Sequence, residues 1–164
     1  MRYAAYGSNL HPLRLAERTP SAVPEGSAAV PGWELAFNKR GADGSGKCTL
    51  RRGAAGIWVA VYSLSASDAL RLDAVEGSGY ERAELEVPGY GACFTYLGHA
   101  DYLDDRLQPY DWYRDLVLAG GRHHGFPARY LATLERLRCA ADDDAVRRDR
   151  HAALLARLGG AAGL

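Results

Sequence analysis

Two short stretches of the chain hold residues whose types and spacing could do chemistry. Tyr6-Gly7-Ser8-Asn9-Leu10 stands directly behind the apolar run Tyr3-Ala4-Ala5. The order reads as a strand over residues 1–6, a sharp exit at Gly7, and a helix from Leu10 to about Arg18 capped by Asn9. Pro12 falls in the first helical turn, where its missing N–H does no harm. Such a helix start presents backbone N–H groups at the positive end of the dipole, a cradle for a carboxylate or phosphate. The same five residues also suit an ordinary turn with no ligand. The second stretch is Leu72-Asp73-Ala74-Val75-Glu76-Gly77. Leu72 and Val75 predict a buried helix face, Gly77 ends the helix, and Glu76 stands at its negative end, where a carboxylate holds its proton more tightly. Glu76 is therefore the candidate general acid and base, set against the plainer reading of a solvated last-turn glutamate.

Other mechanisms lack their usual parts. The chain has no Gly-x-Ser-x-Gly elbow, no His-Glu-x-x-His, no paired cysteine motif and no dinucleotide fingerprint. His123 and His124 are adjacent, so their rings diverge, and they read as solvated imidazoles in a loop rather than as metal ligands. Gly41-Ala42-Asp43-Gly44-Ser45-Gly46-Lys47 has the spacing of a nucleotide-binding P-loop. However, Cys48 follows where a Ser or Thr should reach magnesium, and Thr49-Leu50-Arg51-Arg52 continues as strand rather than helix. The segment reads instead as a flexible hairpin loop near the ligand site, with Lys39, Arg40 and Lys47 giving it a local positive potential.

A chain of 164 residues and 17.8 kDa suits one domain with one core. Twenty basic residues balance twenty acidic ones, so nothing calls for nucleic acid or an anionic membrane, and a small ligand is the easier partner. Cys48, Cys93 and Cys139 are odd in number and widely spaced, which suggests buried thiols in a reducing cytosol. Met1-Arg2-Tyr3 runs straight into a strand, and no apolar run approaches the roughly 18 residues of a membrane span. The expectation is a soluble, unprocessed cytoplasmic protein.

The elements expected to position these residues are mixed. Strands are predicted at 27–30, 33–38, 48–51 and 57–64, the last central because Trp58, Val59, Val61 and Tyr62 form a nearly continuous apolar run. Ser65 caps a helix from Ala66 to Glu76, with Asp68 in the acidic capping position. Residues 80–87 and 92–97 read as a hairpin across Pro88-Gly89-Tyr90-Gly91. Two helices, 110–119 and 128–137, follow on either side of Gly120-Gly121 and Gly125-Phe126-Pro127. After Cys139 the composition changes. Asp142-Asp143-Asp144 leads an Arg- and Ala-rich segment with Leu154, Leu155 and Leu158 on one helical face and a frayed Gly-Ala end. It reads as a helical appendage (139–164) on a domain of residues 1–138, with a dimerisation role as the other reading.

In this order, Tyr3 to Leu10, Leu35-Ala36-Phe37-Asn38-Lys39-Arg40-Gly41, Leu72 to Gly77 with Tyr80, and Tyr113 followed by Gly120 and Gly125-Phe126-Pro127-Ala128-Arg129-Tyr130 resemble the gamma-glutamylcyclotransferase-like family over residues 1 to about 137. The specific combination is Y-G-S-N-L at the first strand end plus L-D-x-x-E-G-x-x-Y later on; the segment after Cys139 departs from the family's common core. The resemblance implies an α+β fold, a compact barrel-like mixed β-sheet flanked by helices. It implies that Tyr3, Ala4, Ala5, Tyr6, Gly7, Ser8, Asn9 and Leu10 form the loop holding the glutamyl end of a substrate. Glu76 would then be catalytic, Tyr80 near the reacting centre, and Tyr113 the residue closing the pocket, with Tyr130 divided between a functional and a structural role. Neither metal nor cofactor is implied. The reaction would be attack of the α-amine of a gamma-glutamyl amide on its own γ-carbonyl, releasing 5-oxoproline. The leaving group stays open among an amino acid, a peptide such as cysteinylglycine, an amine and a gamma-glutamyl-protected biosynthetic intermediate. The rival readings are a non-catalytic binding module for a small acidic metabolite and a protein-interaction role for the C-terminal helix.

Overall fold

The run Tyr3-Ala4-Ala5 forms β1 (Arg2–Ala5), the middle strand of a five-stranded sheet in the computed structural model, which describes residues 1–160. The other elements, in chain order, are α1 (Pro12–Arg18), β2 (Val23–Val30), β3 (Trp33–Arg40), β4 (Gly46–Arg52), β5 (Ile57–Ser63), α2 (Ala66–Glu76), β6 (Tyr80–Val87), β7 (Gly91–Gly98), α3 (Asp111–His123), α4 (Ala128–Glu135) and α5 (Ala145–Gly160). The sheet order is β2-β5-β1-β7-β6, and β3 and β4 form a separate two-stranded hairpin. β1 pairs antiparallel with β5, placing Ala4 opposite Val61, and parallel with β7, placing Tyr3 opposite Phe94. The fold is thus α+β, with an open sheet rather than a closed barrel. Its edges approach each other at one end, where the hydroxyl of Tyr90, in the turn between β6 and β7, lies against Gly26 of β2. β5 is interior, as its apolar run predicts, and Val59, Ala60, Val61 and Tyr62 are fully buried with Leu72 of α2.

Several boundaries differ from expectation for local reasons. β2 begins at Val23 because an edge strand tolerates Pro24 and the register shift between Pro24 and Gly26. α1 starts at Pro12 and is capped by His11, whose Nδ1 accepts from the Leu13 N–H at 3.3 Å; Asn9 is not the cap. Gly7 does not adopt a positive φ. It is small because a Cβ there would stand 3.0 Å from the Cys48 Cβ. α2 matches expectation, with the Asp68 N–H on the Ser65 Oγ at 3.1 Å and Gly77 turning out of the helix at φ 67°. The Asp68 carboxylate, however, takes the Ser21 N–H at 2.7 Å. Leu72 is buried but Val75 is 48 % exposed, so the buried face of α2 is narrower than predicted.

α3 does not stop at Ala119 but runs through Gly120 and Gly121 to His123. A Cβ on Gly120 would lie 2.3 Å from the Leu10 Cβ, and one on Gly121 2.8 Å from the Leu131 Cδ2. These glycines mark close packing of the helix, not its end. His124 is not a solvated loop residue either: its Nε2 lies 2.8 Å from both the Leu10 carbonyl and the Tyr62 hydroxyl. α5 buries Leu158 and His151, the latter stacked on Trp112 of α3 at 3.6 Å. The Gly-Ala end expected after it falls partly outside the described residues.

Gly120→Ala should therefore lower stability by about 2 kcal/mol or more in denaturant unfolding, because backbone and a buried Leu cannot move aside. Gly159→Ala, with nothing among the described residues within 4 Å of its Cβ, should be neutral or stabilising by a few tenths of a kcal/mol.

His11 and His151 are 1 % and 8 % exposed, and burial first, then neighbouring His or Arg side chains, lowers both from 6.5 to about 4. Between these values the unfolded chain binds more protons than the folded one, so stability is full above pH 6.5 and falls as the pH drops toward 4. Carboxylates held below their ordinary 3.8, such as Asp142, act only at lower pH. The melting temperature is expected to decline across pH 6.5 to 4, and His11→Asn, which can still cap α1, should flatten part of that decline.

Candidate active site

The chain leaves β1 over a recess lined by Tyr3, Tyr6, Gly7, Ser8, Asn9, Cys48, Glu76, Tyr80, Tyr96 and Tyr113. Eight of the eleven residues singled out in the sequence as site candidates are therefore brought together. Ala4, Ala5 and Leu10 are not, because they are core residues at 0 %, 0 % and 1 % exposure. Cys48 and Tyr96 complete the lining without having been singled out; alternation along β7 marks Tyr96 only as a core position. Tyr130 lies away from the recess, its ring against Phe126 at 5.9 Å.

Asn9 joins the two candidate motifs. Its Nδ2 donates to Glu76 Oε1 at 2.9 Å, across 67 residues of sequence, and lies 3.2 Å from the Tyr3 hydroxyl. Its Oδ1 accepts from Arg18 at 2.8 Å, and the Arg18 guanidinium stands 3.6 Å from Glu76 Oε1. Glu76 is thus held through one oxygen, and Oε2 has no protein hydrogen-bond partner among the described residues. The helix end bearing Glu76 is fixed one turn earlier, where the Tyr96 hydroxyl donates to Asp73 at 2.6 Å and Arg82 pairs with the same carboxylate at 2.7 Å. Among the described residues the backbone N–H groups of Gly7, Ser8 and Asn9 have no protein acceptor, while Leu10 N–H closes a turn onto the Gly7 carbonyl. With α1 starting at Pro12, these donors form a loop cradle and not a helix N-terminus.

The β3–β4 hairpin forms the opposite wall. Its register shifts between Ala36 and Lys39, so Cys48 falls outside the regular ladder. Two tyrosines take over its backbone groups: the Cys48 N–H donates to the Tyr113 hydroxyl at 3.1 Å, and the Tyr80 hydroxyl donates to the Cys48 carbonyl at 2.7 Å. The Tyr6 hydroxyl donates to the Tyr96 carbonyl. Burial pushes the Tyr3, Tyr6, Tyr80 and Tyr113 phenols well up and the Cys48 thiol up to about 12. These groups stay protonated at neutral pH and serve as hydrogen-bonding walls. Glu76 is the one carboxylate among the described residues lining the recess.

The recess opens past Ser8, Glu76, Tyr80 and Tyr113 into a cleft of about 590 Å³. The loop with P-loop spacing borders it as a tight hairpin turn, Gly41 N–H bonding the Ser45 carbonyl at 2.8 Å. Lys47 is turned onto Asp43 at 2.7 Å and Ser45 at 2.8 Å, which is a different arrangement from a phosphate cradle. No group of three or more His, Cys, Asp or Glu suited to a metal ion occurs among the described residues, and no helix described is long and apolar enough to cross a membrane.

Tyr113→Phe should strand the buried Cys48 N–H and cost about 1–3 kcal/mol in denaturant unfolding. Tyr102→Phe, which loses only an exposed 3.4 Å contact to Ser78, should change stability by no more than about 0.5 kcal/mol.

Residues 3–115 match the family described as gamma-glutamyl cyclotransferase, AIG2-like. A solved structure described as gamma-glutamyl cyclotransferase superposes with a TM-score of 0.84 at 22% identity, covering 96% of this chain and 98% of that one. A human protein, loc79017, described as uncharacterized, superposes at 0.78 with 25% identity over 92% of this chain and 96% of its own. YkqA from Bacillus subtilis gives 0.68 at 19% identity, over 85% of this chain and 56% of that chain. The first two superpositions extend well beyond residue 115, into the C-terminal segment. No curated protein matches the sequence.

Proposed function

Since the chain belongs to the gamma-glutamyl cyclotransferase, AIG2-like family, we propose that it releases 5-oxoproline from a gamma-glutamyl amide, with Glu76 as general acid and base. The observation that carries this reading is the bond from Asn9 to Glu76 Oε1, which sets one carboxylate beside the Gly7–Asn9 loop with its other oxygen free.

The reaction needs no enzyme nucleophile, metal or cofactor, because the substrate supplies its own nucleophile. The α-amine lone pair attacks the γ-carbonyl carbon, closing a five-membered ring. Glu76 Oε2 accepts a proton from the attacking nitrogen and returns it to the leaving nitrogen as the amide C–N bond breaks. One carboxylate can make both transfers because the two nitrogens are bound to the same carbon in the tetrahedral intermediate. The free N–H groups of Gly7, Ser8 and Asn9 are suited to the substrate's oxygen atoms, either the α-carboxylate or the developing oxyanion. Holding the amine against the carbonyl can supply several kcal/mol of the barrier reduction. Cys48, Cys93 and Cys139 are all free thiols, which supports a reducing, cytoplasmic setting.

The test is a 5-oxoproline assay across gamma-glutamyl amino acids, glutathione and gamma-glutamyl amines. Wild type should release 5-oxoproline from at least one substrate, and Glu76→Gln should lower kcat by about 10²–10⁴. Asn9→Ala should lower kcat by about tenfold or more with a smaller change in KM, because Glu76 loses the donor that orients it. A wild-type protein inert across the panel yet binding gamma-glutamyl compounds would replace this reading with a binding module.

A further inference from the structure

The chain carries twenty cationic and twenty anionic residues, yet the charges are not evenly spread around the site. The outer cleft is lined by Arg14, Arg18, Lys39, Lys47, Arg147 and Arg150, against the carboxylates of Asp43 and Glu76; none of these six cations lines the inner recess. Three are already matched. Lys47 pairs with Asp43 at 2.7 Å, Arg18 stands 3.6 Å from Glu76, and Arg147 makes two hydrogen bonds to the Asp142 carboxylate at 2.7 and 2.5 Å.

The other three have no carboxylate partner among the described residues. Lys39 is 7 % exposed, with its ammonium 4.3 Å from the centre of the Tyr80 ring. Arg14 has a buried Nε with no hydrogen-bond partner. Arg150 is exposed on α5 and shares with Arg14 a second groove, between α1 and α5, that continues the cleft away from the recess. Like charge is felt within the cluster: after burial, Arg18 is the next cause lowering Arg14, to about 10, and Arg14, Arg150 and Lys47 together help lower His151. Glu17 and Glu76 compensate Arg14 in part, and Glu76 attracts Lys39; the desolvation and repulsion that remain are a cost that a bound anion offsets.

The inference rests on the cyclotransferase reading, in which the glutamyl end enters the recess and the scissile amide lies at Glu76, where recess and cleft meet. The glutamyl α-carboxylate calls for one positive charge or a set of N–H donors, which the Gly7–Asn9 loop can provide. That leaves Arg14, Lys39 and Arg150 for whatever is attached to the γ-carbonyl. We propose that Arg14, Lys39 and Arg150 select gamma-glutamyl amides whose leaving amine carries a doubly negative group, either two carboxylates or one phosphate. α5 is then a wall of the substrate site and Arg150 a specificity-determining residue.

The probes are gamma-glutamylglycinamide, with a neutral leaving group, gamma-glutamylglycine, with one carboxylate, gamma-glutamylaspartate, with two, and gamma-glutamyl phosphoethanolamine. Binding to the full-length Glu76→Gln protein is measured by calorimetry at two salt concentrations, alongside 5-oxoproline release by the Glu76 protein. At low salt at least one of the two doubly charged ligands should bind at least tenfold more tightly than the neutral one, with a smaller ratio at high salt. Whichever gains more identifies the anion as dicarboxylate or phosphate. Because Arg150 is exposed, Arg150→Glu should fold normally and bring the ratio to within about twofold of unity; Arg14→Gln should reduce it as well. Equal binding of neutral and doubly charged ligands, or a ratio unmoved by Arg150→Glu, overturns the inference while 5-oxoproline release leaves the reaction standing. Charge-selective binding with no 5-oxoproline from any probe overturns the reaction, and with it the identification of the anion as a leaving group.

Discussion

The side-chain amide of Asn9 is the link on which the site depends. It spends its donors on Tyr3 and Glu76 and its acceptor on Arg18, so that β1, α1 and α2 meet at one planar group. An amide is suited to this position because it offers both donors and an acceptor while remaining uncharged. An aspartate there would face Glu76 with a second negative charge, and an aliphatic residue would leave the carboxylate and the buried Tyr3 hydroxyl without their shared partner. The arrangement holds one face of Glu76 and leaves the other to the cavity, which is the asymmetry that the proposed role of proton carrier needs.

The opposite wall solves a different problem. A register shift in a hairpin normally leaves backbone groups seeking partners. Here the carbonyl and N–H of Cys48 are taken by the hydroxyls of Tyr80 and Tyr113, which come from outside the hairpin. The tyrosines that a sequence reader would assign to substrate are thus also structural, tying β6 and α3 to β4. Gly7 completes the contact, since any side chain at that position would press on Cys48. The floor of the recess is therefore set by close packing, and around Glu76 its polar surface consists of hydroxyl, thiol and amide groups rather than a second acid or base.

Much of this was legible in the sequence. Ser65 and Gly77 bounded α2 and so located Glu76, and the 80–97 hairpin followed from its turn residues. The Y-G-S-N-L loop and the later glutamate were recognisable as a pair. The errors share a cause: Gly, Asn and His were given local roles that tertiary contacts overrode. Asn9 looked like a helix cap because capping is what an asparagine before a helix usually does, but His11 caps and Asn9 reaches Glu76 at the end of α2. Gly120 and Gly121 looked like a break, whereas Gly120 lets α3 approach Leu10 and Gly121 lets it approach Leu131 and Phe126. His124 looked solvated, but its ring serves the Leu10 carbonyl. The cationic cleft was legible only in part: Lys39 and Lys47 were expected to lend positive potential near the site, but Arg14 and Arg150 come from two further elements whose proximity depends on the complete fold.

The central place of β1 also bears on how the chain acquires this structure during synthesis. The first strand made has both neighbours still to come: β5 at residues 57–63 and β7 at residues 91–98. Until those segments leave the ribosome, Tyr3-Ala4-Ala5 is an apolar stretch with two unpaired edges, and its contacts must close long loops before they are rewarded. Of the strands of this sheet β1 is thus emitted first and paired late, so the Asn9 loop gains its full set of neighbours only once β5, α2 and β7 have followed.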